Sequence, residues 1–127
     1  MTERKRKTDP GVKQFSLNEL IIESIKDKKG ECITHLDLSH LNTTISSAFL
    51  IAHANSSVQV KAIAEWVEER IGKTLGRKPY HREGYENAHW ILLDYGEILV
   101  HIFQKNYRDF YDLEELWADG VRTDLTV

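Results

Sequence analysis

The sequence predicts a single α/β domain, a mixed sheet of about five strands with flanking helices. Three observations predict it. The elements run α-β-β-α-(β)-β-β-α, with strands and helices interleaved too closely to form separate layers. "AFLIAHA" (Ala48–Ala54) is continuously apolar, as in a strand buried on both faces. "WILLDYGEILVHIF" (Trp90–Phe103) reads as a hairpin with large apolar groups on each face. At 127 residues, 41% hydrophobic and 29% charged, the chain suits one domain with a real core.

Residues 1–14 read as a disordered basic tail, with Arg4 to Lys7 offering an RNA contact. The domain is expected over 15–120. Ser16 and Glu19 fit a capping box, followed by Leu17, Leu20, Ile21 and Ile25 at helical spacing, with Gly30 as the stop. "ECITHLDL" reads as a strand in which Cys32, Thr34 and Leu36 alternate against Ile33, His35 and Leu38. "LNTTISS" is a polar break. Asn55, Ser56 and Ser57 are N-cap candidates. Val60, Ile63, Ala64, Val67 and Ile71 then predict an amphipathic helix ending at Gly72. The polar connection after it holds one edge strand near Tyr80. Past the hairpin, Asn106 is the expected cap of a short last helix, and 121–127 read as a C-terminal tail.

Chemistry is mostly excluded. The single Cys32 makes no intramolecular disulfide and reads as a small apolar filler, which suits a reducing interior. "MTERKRKTDPG" is not a secretory signal, and no segment approaches the roughly 18 apolar residues of a membrane span. The net charge of −3 makes no global case for nucleic acid. Six histidines, His35, His40, His81, His89 and His101 among them, lack zinc-site spacing, so no metal is expected. No glycine-rich phosphate loop appears, and no cofactor is expected. Asp37 and Asp94 are strand-end carboxylates, but neither has a second acid two residues away to share a divalent ion. The chain is not expected to be an enzyme.

What remains is surface. From Asn106 to Gly120, five acids face Arg108 alone, a balance of −4, interleaved with Tyr107, Phe110, Tyr111, Leu113, Leu116 and Trp117. Such a surface suits a basic protein partner. The hairpin allows two registers. A two-residue loop puts Trp90, Leu92, Leu99 and His101 on one face with Asp94 and Glu97 at its end, opposite Ile91, Leu93, Ile98, Val100 and Ile102. A three-residue loop with a glycine bulge exchanges the faces of 97–103. In both, each face is apolar enough to need a helix or a partner over it.

"WILLDYGEILVHIF" followed by "RDFYDLEELW" resembles the signature of the ribosomal silencing factor family, also called Iojap-like. The resemblance runs from about Leu17 to Asp119 and includes "SSVQVKAIAEWVEE" and the Glu83–Gly84 pair. It implies a nucleotidyltransferase-like α/β domain without the catalytic carboxylates. Residual nucleotide chemistry is the alternative reading. It further implies binding to the large ribosomal subunit through ribosomal protein number fourteen, and steric blocking of subunit joining under nutrient limitation. The partner-binding residues it carries over are Trp90, Leu92, Asp94 and Tyr95, with Glu97 and His101. A homodimer of the free protein is a further expectation. The lack of a long, acid-poor leader predicts the bacterial cytoplasm. The chain departs from the family at Ser47, Ala54 and Val58, where an acid and a base are missing together, as from a vanished ion pair.

Overall fold

The computed structural model describes residues 16–42 and 46–125. The expected basic tail over 1–14 and part of the polar break lie outside them. Along the chain run α1 (Leu17–Asp27), β1 (Glu31–Asp37), β2 (Ala48–Ala54), α2 (Ser57–Leu75), β3 (His81–Glu83), β4 (Trp90–Asp94), β5 (Ile98–Gln104), α3 (Lys105–Tyr111), α4 (Leu113–Leu116) and β6 (Val121–Asp124). They form one six-stranded sheet in the order β3-β4-β5-β2-β1-β6. Only β2 and β5 pair in parallel.

Local signals account for the first helices. Ser16 Oγ accepts from the Glu19 amide at 3.1 Å, and Glu19 returns a carboxylate to the Ser16 amide at 3.0 Å. Leu20, Ile21 and Ile25 of α1, with Val60, Ile63, Ala64, Val67 and Ile71 of α2, cover one sheet face. All of β2 is buried, as its composition predicts. It turns Ala48, Leu50, Ala52 and Ala54 toward these helices, and Phe49 and Ile51 the other way. The small residues let α2 approach the central strands.

Several local expectations are corrected. α2 runs past Gly72 to a left-handed Gly76 (φ 65°). One mid-helix glycine costs only about 1 kcal/mol, too little to end the helix, and the turn it adds, Lys73 to Leu75, is exposed. After α1 it is Lys29, not Gly30, that turns left-handed (φ 65°). Cys32 also sits at positive φ (51°), at a register break in β1, and is exposed rather than filling the core. Leu38 lies with Leu36 in the second core cluster, not with Ile33.

The C-terminal region departs furthest. The expected tail supplies β6, antiparallel to β1 with Leu36 opposite Arg122, which raises the sheet from about five strands to six. The last helix begins at Lys105 behind Gln104, so Asn106 is inside its first turn and not its cap. It breaks at Asp112 (φ 49°), a residue type that tolerates this conformation, and α4 follows.

Arg108, read as a surface base, is buried at 6% exposure. Its guanidinium donates to Cys32 O (2.6 Å), Thr34 Oγ1 (3.0 Å), His53 Nδ1 (3.0 Å) and the Glu114 carboxylate (3.0 Å from Nε). A buried pair that loses one partner leaves an uncompensated charge. Arg108→Ala should therefore lose about 3–5 kcal/mol of stability, read as a fall in the urea midpoint.

Candidate partner-binding face

The hairpin has a two-residue loop, which keeps the expected faces, but Glu97 lies in the turn and Asp94 stands opposite Leu99 rather than Glu97. The Tyr95 amide donates to Ile98 O at 2.9 Å, leaving Gly96 and Glu97 as the turn. Gly96 is left-handed (φ 91°) while Glu97 is not, the pattern of a type II′ turn. Trp90 then pairs with Phe103, Leu92 with His101 and Asp94 with Leu99, all six on one sheet face. Tyr95 falls on the opposite face by parity.

The six expected contact residues are therefore not one surface. Trp90, Leu92 and Asp94 are partly buried on the face away from α1 and α2, and Asp94 accepts from the Gly96 amide at 2.8 Å. Tyr95 is fully buried in the α1–α2 core, its hydroxyl without a partner, and burial pushes that hydroxyl's pKa up. Direct contact with a partner is closed to it. Glu97 is exposed and binds Arg77 through both oxygens (2.8 and 3.0 Å), which holds its carboxyl below the usual range. His101 is 4% exposed and lies under the surface.

His101 acts on Trp90 instead. The indole Nε1–H donates to His101 Nδ1 at 3.1 Å, which places the histidine's proton on Nε2, buried and unpartnered. Phe49 meets His101 edge-on at 4.6 Å, and Trp90 stacks on Phe103 at 4.9 Å. Over Trp90 lies Tyr111 (4.8 Å), itself against Phe110 (5.2 Å). Phe110 is 78% exposed and Leu116 71%. This aromatic surface exists because, among the described residues, the second core cluster (Leu36, Leu38, Phe49, Ile51, Leu99, Phe103, Leu113) is roofed by short α3 and α4 with Leu41 and Trp117 rather than by long helices. The buried Arg108–Glu114 pair cancels, leaving Asp109, Asp112, Glu115 and Asp119 exposed around the aromatics. Phe110, Tyr111 and Leu116 were visible as apolar residues among acids, but only the helix break shows which of them face out.

Among the described residues no three His, Cys, Asp or Glu side chains gather to hold a metal ion. Asp37 and Asp94 end β1 and β4, with β2 and β5 between them. At the usual strand spacing that is about 14 Å, too far to share an ion.

Comparison with known proteins decides the relationship. The family model described as "Ribosomal silencing factor during starvation" matches residues 13–127. The chain belongs to the ribosomal silencing factor family. Relatives named ribosomal silencing factor RsfS include those of Halalkalibacterium halodurans, 38% identical over 86% of this chain and 92% of that one, and Bacillus subtilis, 36% identical over 88% and 93%. A crystal structure from Chromobacterium violaceum superposes with a TM-score of 0.76 at 36% identity, covering 87% of this chain and 90% of that one. Within this family fold, Ser47 precedes β2 and Val58 follows it. The strand between them spans about 23 Å, which rules out a vanished ion pair joining the two positions.

Burial pushes the His101 pKa from 6.5 down to about 3. Between those values the unfolded chain binds more protons than the folded one, so stability is complete above about pH 6.5 and falls with pH toward about 3. His53, lowered by burial and by Arg108, adds to the same trend. The parent should lose up to about 1.4 kcal/mol per pH unit through His101 alone. Urea denaturation at about pH 7 and about pH 5 should show a smaller loss for His101→Phe than for the parent.

Proposed function

We propose that this chain binds the large ribosomal subunit through ribosomal protein number fourteen, sterically blocks small-subunit joining, and so represses translation under nutrient limitation. Membership of the silencing family supplies the ribosomal setting. The observation that carries the binding mode is the exposed Phe110–Tyr111 pair continuous with Trp90, set among exposed acids. Aromatics enrich interface centres, and acids steer a factor toward a basic ribosomal protein. The contact set is then Trp90, Leu92 and Asp94 with Phe110, Tyr111 and Leu116. Tyr95, Glu97 and His101 support it from beneath or beside. The basic N-terminal tail adds an rRNA contact, the free protein forms a homodimer, and the site of action is the bacterial cytoplasm. No helix among the described residues is long and apolar enough to cross a membrane.

A non-catalytic blocker needs no paired carboxylates, which accords with the separation of Asp37 and Asp94. Turnover of a nucleotide with magnesium would overturn that reading. Co-sedimentation with purified large subunits tests binding directly. Phe110→Ala, a substitution at an exposed ring, should weaken binding by about 2 kcal/mol while keeping the thermal transition of the parent. Trp90→Ala should lose about 2–4 kcal/mol of affinity. Because Trp90 also stacks on Phe103, it should cost about 1–3 kcal/mol of stability as well. The association rate should fall as salt rises, since exposed charges are screened within about 8 Å at physiological ionic strength. A rate indifferent to salt would remove charge steering from the account.

A further inference from the structure

One cleft adjoins the proposed binding face and is not used by the contacts described so far. It has a volume of about 260 Å³ and lies between the start of β4 and α3. Its walls are aromatic. His89 stacks on Tyr107 at 4.2 Å with planes 10° apart, and Trp90 meets Tyr111 at 4.8 Å. Its rim is the turn that carries Glu86 and Asn87.

The cleft is built rather than incidental. The Ala88 amide closes the turn on Gly84 O at 2.9 Å, and Gly84 (φ 94°) and Ala88 (φ 55°) both take left-handed backbone. A Cβ on Gly84 would stand 2.0 Å from Trp90 O, so the turn rests directly on the tryptophan backbone. On the far side the Gln104 amide holds His89 O at 2.9 Å.

Its chemistry selects among ligands. No lysine or arginine lines the cleft among the described residues, so an anion would find no counter-charge. A wholly apolar group would desolvate Glu86 and Asn87 without replacing their hydrogen bonds. A planar cation satisfies both parts, since it stacks on electron-rich rings and donates to a carboxylate. We propose that this cleft receives the guanidinium of an arginine on the partner protein, lying against its aromatic wall and paired with Glu86. The proposal rests on the binding face argued above and names the partner chemistry for its edge.

Two measurements test it. In the first, the protein carries ¹⁵N-labelled indoles, with Trp66→Phe and Trp117→Phe variants to assign the Trp90 resonance. It is titrated with arginine amide and with citrulline amide, its uncharged isostere. Arginine amide should shift the Trp90 signal, citrulline amide should not, and Glu86→Gln should weaken the response. Equal shifts from both compounds, or none from either, would overturn the proposal. In the second, Glu86→Lys and Glu86→Gln should each lower affinity for purified large subunits, Glu86→Lys about tenfold. Parental affinity in both variants, with Trp90→Ala still defective, would remove the cleft and leave the binding face standing. Parental affinity in Trp90→Ala as well would remove both.

Discussion

The buried guanidinium of Arg108 is the constraint on which the functional face depends. It joins the bulge of β1 through Cys32 O and Thr34, the end of β2 through His53, and α4 through Glu114, all from a position on α3. Desolvating an arginine is costly, and four acceptor groups around it are what make burial tolerable. The geometry has consequences on both sides. On the sheet side, Cys32 adopts its left-handed conformation where its carbonyl meets the guanidinium. On the helix side, α3 is anchored at the end of β5, which brings Tyr107 against His89 and Tyr111 over Trp90.

The two faces of the sheet are unequally covered, and that inequality separates stability from function. α1 and α2 together fill one face, where the burial of Ile91, Leu93, Tyr95, Val100 and Ile102 is nearly complete. Among the described residues the other has the seven-residue α3 and four-residue α4 rather than long helices. Trp90 and Leu92 stay partly exposed there, beside Phe110, Tyr111 and Leu116. Any partner on this face buries aromatic area that the fold leaves open. His101 works beneath it: as the buried acceptor of the Trp90 indole proton, it fixes the orientation of the ring.

This division also explains what kind of protein the family fold makes here. Its two strand-end carboxylates stand three strand spacings apart, and the exposed aromatics Phe110 and Tyr111 have acids about them. Such a surface suits recognition by shape and charge under the reading proposed above.

The sequence by itself determined the elements whose signals are local. Ser16 with Glu19 marks the start of α1, the period of Val60 to Ile71 marks α2, and the unbroken apolar run of β2 places it at the sheet centre. The family motif was equally legible, since it is a matter of residue order. Tertiary structure decided what depends on pairing between distant segments. Tyr95 lies on the core side because it continues the alternation of Ile91 and Leu93, and His101 lies below the surface because Trp90 and Phe49 pack against it. β6 carries no periodic signal because all four of its residues are exposed, and it is held by pairing with β1 and by the Thr34 hydroxyl donating to Asp124 Oδ1 at 2.8 Å. Arg108 looked like one base among acids. Its burial follows from acceptors as much as 76 residues away, which no local pattern records.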